Sequence, residues 1–298
     1  MRTVIVQKIE EKTLTHPCYS YEAHHKYARI HLPVAPQCNI SCNYCSRKFD
    51  CVNESRPGVT SGVLTPEKAL IRIKLVREQL TNLTVAGIAG PGDALANWDK
   101  TRRTIQLIRQ EDCNTTFCLS TNGLVLPELA KDLIELDVQH VTVTVNSIDP
   151  KIGALIYGRI HYKGQEYNGI EGAELLIRNQ LQGIKKLAEN AVLVKVNIVM
   201  LEGINDQHIP EVVKKVKELG AFITNIMPLI PAEGSVFENH PPTNTKRIVE
   251  LRKQCGEHLQ QMTHCKQCRA DAIGMLGQDC SEEFIESRQK CSCREEVG

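Results

Sequence analysis

The feature that most constrains this sequence is a group of three thiols, Cys38, Cys42 and Cys45, within eight residues. They follow an alternating apolar segment, residues 28–35, which predicts a strand leading into a loop. A cubane 4Fe-4S cluster normally takes four Cys ligands, so three thiolates leave one iron open to a substrate or cofactor. The alternatives are a zinc knuckle or buried thiols, but zinc sites usually pair two ligands with two more at a distance. The spacing therefore predicts a catalytic iron-sulfur cluster.

The composition limits the class of protein and its partners. The chain has 298 residues, 42% hydrophobic residues and a net charge of +1 without a basic block, which predicts a globular protein whose partner is neither nucleic acid nor a membrane. No apolar run reaches the roughly 18 residues that span a bilayer, and residues 1–15 are unlike a signal peptide. We therefore expect a cytoplasmic protein. Thirteen Cys in a reducing compartment indicate metal or redox chemistry rather than disulfides.

Predicted strands and helices alternate along most of the chain. Strands are predicted at 28–35, 83–89, 115–119, 140–145, 192–200 and 222–226, with helices between them. Thr65 and Pro66 have the residue types of a helix N-cap and first position. Six such units predict an α/β fold, a partial (β/α)6 TIM-like barrel over residues 28–230. Residues 1–27 form an N-terminal extension, and residues 231–298 a C-terminal Cys-rich helical extension.

Polar groups and glycines stand where several of these strands end, which is where such barrels place their active sites. The second strand is followed by a turn with Gly90, Gly92 and Asp93, the third by Asn122 and the fourth by Asn146. Turn formation and capping are the alternative roles. We therefore expect these residues at the active site of the barrel.

Further potential metal ligands lie outside the three-Cys loop. Cys18, Cys51 and Cys118 are far apart in sequence, and a histidine could complete their set. The candidates are His16, His24, His25 and His31, of which His31 lies seven residues before Cys38. Cys265 and Cys268 form a C-x2-C pair of metal-ligand type, for which a redox disulfide is the alternative.

The C-x3-C-x2-C spacing after the first strand of a six-unit barrel resembles the radical S-adenosylmethionine (SAM) superfamily. Linked motifs are more specific: His16-Pro17-Cys18, the segment 54–59 (ESRPGV), the turn 89–93 (AGPGD) and the segment 265–272 resemble the NifB family. The resemblance runs from about residue 16 to residue 279. Many members carry an additional NifX-like domain, so we expect a short, stand-alone form. Cys280, Cys291 and Cys293 lie outside the matched motifs, and their role stays open.

This resemblance implies a radical SAM maturase of nitrogen fixation. Such enzymes fuse two 4Fe-4S clusters into an eight-iron, carbide-containing precursor of the nitrogenase cofactor, and SAM is both the methyl and carbide donor and the radical source. The implied cofactors are SAM and three 4Fe-4S clusters, one of the radical SAM type and two as substrates. The implied partners are an iron-sulfur cluster donor protein and a scaffold or carrier protein for the cofactor.

The resemblance also implies roles for individual residues. Both extensions become cluster-binding segments, with Cys18, Cys51, Cys118 and His31 at one substrate cluster and Cys265 and Cys268 at the other. Cys255 or Glu54 could supply a third ligand to the second cluster, since two thiolates leave it short of ligands. The predicted catalytic residues are Cys38, Cys42, Cys45, Glu54 and Arg56, and the predicted cofactor-binding residues are Gly90, Gly92, Asp93, Asn122 and Asn146. Asp93 would accept a hydrogen bond from the ammonium group of SAM.

Two other functions stay open at this point. A radical SAM enzyme that modifies a peptide and carries auxiliary clusters would share the barrel and a Cys-rich tail, but it would not explain Cys18 and Cys51. A non-enzymatic iron-sulfur carrier would need full four-Cys ligation of every cluster. The oligomeric state, the sulfur source and the redox potentials do not follow from the sequence.

Overall fold

The strands of the protein are short and are distributed along the whole chain. The computed structural model describes Glu11, Lys48, Asp50, Cys51 and residues 13–46 and 60–284. The strands are β1 (Ala28–His31), β2 (Ile40–Cys42), β3 (Leu83–Ile88), β4 (Thr116–Thr121), β5 (His140–Thr144), β6 (Tyr157–Tyr162), β7 (Gln165–Asn168), β8 (Leu193–Met200), β9 (Ile223–Pro228), β10 (Ile273–Met275) and β11 (Gln278–Asp279).

Helices connect most of the strands. They are α1 (Pro66–Gln79), α2 (Trp98–Glu111), α3 (Leu126–Glu135), α4 (Pro150–Ile156), α5 (Gly169–Glu189), α6 (Ile209–Glu218) and α7 (Thr245–Gly256), with short 3-10 helices at Ala23–His25 and Leu95–Asn97. Thr65 caps α1 as predicted, because its side chain accepts a hydrogen bond from Lys68 N. Among the described helices, none is both long and apolar enough to cross a membrane.

The main sheet has the strand order β11-β10-β1-β3-β4-β5-β8-β9. Neighbours from β1 to β9 in this order pair in parallel, whereas β10 is antiparallel to β1. The predicted six-strand parallel sheet is therefore confirmed. Its outer strands do not pair with each other in the described part of the chain, so the barrel stays open.

The hydrophobic core lies between this sheet and its helices. Strand residues such as Ile30, Leu119 and Val141 are at most 1% exposed and belong to the same buried cluster as Ile105 and Leu133 of the helices. Burial of side chains of this size contributes about 1.5–3 kcal/mol each and fixes the helices on the outer face. The inner face of the sheet is left for the polar residues described below.

A second, three-stranded sheet supports the three-Cys loop. The segment after Asn146, predicted only as a long insertion, contains the hairpin β6–β7, and β6 pairs antiparallel with β2. In this register Cys42 lies opposite Tyr157. The insertion therefore fixes the backbone of one of the three predicted cluster ligands.

The C-terminal segment returns to the first strand of the barrel. The strands β10 and β11 were not predicted, since we expected helical structure there. Arg29, 2% exposed, donates to the carbonyl oxygens of Gly274 and Met275, and His31 N donates to Ala272 O at 2.8 Å. These contacts place the Cys265–Cys268 segment beside β1.

Gly274 is the position in β10 where a side chain would be least tolerated. Its φ is +110°, and an added Cβ would lie 2.5 Å from Gln278 O. We expect Gly274→Ala to lower the free energy of unfolding by about 1–3 kcal/mol through backbone strain and overpacking. Gly256→Ala is the control, because a Cβ there meets no atom within 4 Å and Ala favours a helix over Gly. Urea unfolding with equal midpoints for the two variants would contradict this account.

Candidate functional site

The three-Cys loop lies at the strand ends of the barrel and is held by polar side chains from two of them. Asn122, directly after β4, donates to Asn39 Oδ1 at 2.7 Å, and its Nδ2 lies 3.7 Å from Cys38 Sγ. Cys45 N donates to Cys42 O at 3.0 Å, so the second and third thiols share one turn. All three Cys are free of disulfides. The loop can therefore present three thiolates to one cluster.

Asn146 holds the same loop from the end of β5. Its Nδ2 donates to the hydroxyl of Tyr44 at 2.7 Å, and its Oδ1 accepts from Val199 N at 2.9 Å. Both Asn146 and Tyr44 are fully buried. The amide thus positions the loop through Tyr44, and direct contact with the cofactor stays a prediction.

The turn Gly90–Asp93 packs against the chain that enters the three-Cys loop. Gly92 N donates to Ala35 O at 2.6 Å, and Asp93 N donates to Gln37 O at 2.8 Å. A Cβ on Gly92 would lie far inside van der Waals contact of Gln37 O, so only glycine fits. The turn and the three-Cys loop are consequently fixed relative to each other.

Asp93 joins the ends of two neighbouring strands. Its carboxylate accepts from Leu95 N at 2.9 Å, Asn122 N at 2.6 Å and the hydroxyl of Thr121 at 3.0 Å. Ala96 N also donates to it, at 3.0 Å. Burial raises the pKa of Asp93, and the hydrogen bonds from Asn122 and Ala96 oppose that rise. Direct binding of an ammonium group by Asp93 stays a prediction, since its oxygens already accept from four protein groups.

A cavity inside the barrel brings together five of the predicted metal ligands. Its lining contains Cys18, His31, Cys118, Cys265 and Cys268. These residues come from the N-terminal segment, β1, β4 and the C-terminal segment. The four thiols also pack against one small apolar cluster that includes Tyr19 and Met262. Ligands up to 250 residues apart in sequence therefore face one space.

Two other predicted ligands, Cys51 and Cys255, do not line this cavity. The backbone N of Cys51 donates to Pro91 O at 3.1 Å, which places it beside the Gly90–Asp93 turn. Cys255 is fully buried in the main core, where burial raises its pKa to about 11. Glu54, Arg56, Cys291 and Cys293 lie outside the described residues.

His31 has the geometry of a neutral imidazole ligand. Its Nδ1 lies 2.9 Å from Arg269 O, so Nδ1 carries the proton and Nε2 keeps its lone pair. Burial, together with Arg29, lowers the pKa of His31 to about 4. Gly87 leaves room for the ring, since a Cβ there would be 2.7 Å from Cδ2.

The other histidines that we considered make different contacts. His24 stacks on His264 with ring centroids 4.6 Å apart, and His16 Nδ1 accepts from Cys18 N at 3.1 Å. Burial, with His140 next in importance, lowers the pKa of His16 well below its usual value. His31 is the one of the four that lines the cavity in the described structure.

The groups around the Cys18 thiol both raise and lower its pKa. Burial raises the pKa of the Cys18 thiol, the nearby Cys265 and Cys268 raise it further, and Lys195 opposes the rise. Lys195 lies on β8 and lines the same cavity. Lys195 was not among the residues predicted from the sequence. The available signal was alternation in β8, where Lys195 and Asn197 occupy every second position of an otherwise apolar strand.

Comparison with known proteins identifies a superfamily and close relatives. Residues 32–216 match the radical SAM superfamily. The chain is 50% identical over 282 residues to "FeMo cofactor biosynthesis protein NifB" of Klebsiella pneumoniae, which covers 93% of this chain and 60% of that protein. The protein of the same name from Azotobacter vinelandii is 46% identical, with 93% and 56% covered. The chain thus spans little more than half the length of these relatives.

Two solved structures share the fold. Methylornithine synthase (PylB) has a TM-score of 0.52 at 10% identity, with 98% of this chain and 89% of that chain covered. The structure titled "Native anSMEcpe with bound AdoMet and Kp18Cys peptide" has a TM-score of 0.52 at 16% identity, with 77% and 62% covered. At such identities the similarity concerns the fold alone, and it agrees with the predicted partial barrel.

We expect Asp93→Asn to destabilise the protein by about 1–3 kcal/mol, because an amide NH2 would face a backbone N–H that now donates to the carboxylate. Asp99→Asn, in the exposed first turn of α2, should cost less than about 1 kcal/mol. Urea unfolding of both variants tests this. An equal loss of unfolding free energy in the two variants would show that the hydrogen bonds of Asp93 do not contribute specifically to stability.

Proposed function

The chain belongs to the radical SAM superfamily and is similar to NifB proteins over nearly all of its length, and we propose that it makes an eight-iron nitrogenase cofactor precursor. In this reaction two 4Fe-4S clusters are fused around a carbide that derives from SAM. The observation that carries the proposal is the barrel cavity, because thiols assigned to both substrate clusters line it together.

The three-Cys loop is the proposed site of the radical SAM cluster. Cys38, Cys42 and Cys45 would hold three of its irons, and SAM would bind at the fourth, beside the Gly90–Asp93 turn. When bound, the cluster and SAM supply a methyl group and a radical that can remove hydrogen. The role of the protein is to hold this loop in place, through the contacts of Asn122 with Asn39 and of Asn146 with Tyr44.

The loop and the cavity are close neighbours, which supports transfer between them. Cys42, Tyr44 and Met227 belong to one apolar cluster, against which Cys38, Cys45 and Cys265 pack. Met227 also lines the cavity. The three-Cys loop and the cavity therefore share apolar neighbours, which supports transfer of a group from the loop to the substrate clusters.

The ligands of the substrate clusters are few and of mixed type. We assign Cys18, Cys118 and His31 to one cluster, with Cys51 as a further ligand, and Cys265 and Cys268 to the other. The second cluster takes a third ligand for which Glu54 is a better candidate than Cys255, because Cys255 lies in the main core. A neutral imidazole and a carboxylate release a cluster more readily than thiolates do, and this product must leave.

The proposal extends to partners and to Arg56. An iron-sulfur donor protein would supply the substrate clusters, and a scaffold or carrier protein would accept the product. Arg56 would neutralise part of the negative charge of a cluster or of the SAM carboxylate. The match to NifB relatives supports these roles, although the chain covers only part of those relatives.

Anaerobic reconstitution tests the proposal. We expect about twelve irons per chain, because three 4Fe-4S sites are proposed, and we expect both S-adenosylhomocysteine and 5'-deoxyadenosine from SAM. Iron analysis and chromatography of the products measure this. Four irons and no S-adenosylhomocysteine would contradict the maturase function.

The variant Cys118→Ala gives a matched test within the same assay. It should abolish cluster fusion while cleavage of SAM at the three-Cys loop survives. Cys113→Ala is its control, because Cys113 is exposed outside the cavity and should not change either reaction. Normal fusion by Cys118→Ala would contradict the ligand assignment.

A further inference from the structure

One side of the cavity is formed by polar side chains that the cluster assignment does not use. We call Thr142, Lys195, Asn197 and Asn225 the polar wall; they lie on β5, β8 and β9 and line the cavity with the thiols. Thr142 is paired with Lys195 in the sheet, and Asn197 with Asn225, so the four share the inner face. They are between 1% and 7% exposed. Barrel interiors are usually filled with apolar residues, so this wall calls for a polar ligand.

The charge of the lining suits an anion. Lys195 is 7% exposed, and its ammonium group lies 5.5 Å from the ring centre of Tyr19, the residue after Cys18. No Asp or Glu lines the cavity among the described residues. A cluster held by thiolates carries net negative charge, and a buried cation beside it is therefore complementary.

Asn225 supplies an independent observation. Its Nδ2 donates to Asn197 Oδ1 at 3.1 Å, while its Oδ1 has no hydrogen-bond partner among the described residues, although Asn225 is only 1% exposed. Turning both amides over keeps their mutual hydrogen bond and makes the free atom an N–H donor. Buried polar atoms normally have a partner, and here a molecule in the cavity can provide it.

We propose that Lys195 and Asn225 bind the anionic iron-sulfur species in this cavity, through charge and through hydrogen bonds to its bridging sulfides. This inference rests on the proposed function and extends it to residues without metal-ligand chemistry. A species that exchanges its thiolate ligands needs other contacts to stay in place during the exchange. The polar wall provides such contacts, and it also sets the potential of the bound species, which depends on net charge and on hydrogen bonds to sulfur.

The test uses the full chain with Cys38, Cys42 and Cys45 all changed to Ala, so that iron signals come from the cavity alone. This background should hold about eight irons, because two 4Fe-4S clusters remain. Two substitutions are added to this background. Lys195→Met removes the charge with a side chain of similar length, and Lys195→Arg keeps the charge. Lys217→Met, exposed on α6, is the matched control.

Two readouts are independent of activity: the midpoint potential from a redox titration followed by electron paramagnetic resonance, and the rate of iron loss to a chelator. Lys195→Met should shift the potential to a more negative value and speed iron loss severalfold. Lys195→Arg should keep the midpoint potential and the rate of iron loss close to those of the background protein. Lys217→Met should leave both quantities unchanged. Asn225→Asp, which adds negative charge to the polar wall, should also shift the potential to a more negative value. This second variant keeps the test valid if Lys195→Met does not fold.

The possible failures are distinguishable. If Lys195→Met and Asn225→Asp both match Lys217→Met in potential and in iron loss, the polar wall does not bind the cluster, and only this inference is overturned. If the background variant holds no iron before the wall is changed, the substrate-cluster assignment is wrong, and this inference falls with it.

Discussion

The arrangement of the site depends most on the hydrogen bonds that the carboxylate of Asp93 accepts. It accepts hydrogen bonds from Asn122 N and Thr121 at the end of β4 and from Leu95 N and Ala96 N after β3. This fixes Asn122, whose side chain in turn contacts Asn39 and Cys38 in the three-Cys loop. One buried carboxylate, which is costly to bury without such partners, thus connects two strand ends to the predicted cluster loop.

The cavity depends on a second constraint, the return of the C-terminal segment to the first strand. Pairing of β10 with β1 and the hydrogen bond from His31 N to Ala272 O place Cys265 and Cys268 beside His31. The hydrogen bond of His31 Nδ1 with Arg269 O fixes the ring of His31 from the same segment. The predicted metal ligands therefore come together only when the N-terminal segment, the barrel and the C-terminal segment fold together.

The sequence predicted the barrel well because strands such as β3 and β8 are mainly apolar and alternate with helices that have clear start signals, such as Thr65 and Pro66. It did not predict β10 and β11, because they are two or three residues long and contain or flank glycine. The hairpin β6–β7 was missed since its strands are rich in polar and aromatic residues with little regular alternation. Short strands such as these are specified by their partners rather than by their own sequence.

The sequence indicates which residue types are candidates for the site, whereas the contacts of those residues depend on the tertiary structure. The residues Cys18, His31, Cys118, Cys265 and Cys268 were selected for their chemistry and line one cavity. The side chain of Asn146 bonds to Tyr44 and Val199, contacts that strand periodicity cannot predict, and its contact with the cofactor stays a prediction. Lys195 was overlooked because a lysine in a strand is ordinarily exposed, and only the barrel shows that its position faces inward.

We propose that one cavity holds two iron-sulfur clusters side by side. The most direct measurement is electron paramagnetic resonance of the reduced protein whose Cys38, Cys42 and Cys45 are replaced by Ala, since only clusters in the cavity then contribute. We expect two clusters whose spins are magnetically coupled, with broadened or split signals. Two independent, unsplit signals, or the signal of a single cluster, would contradict it.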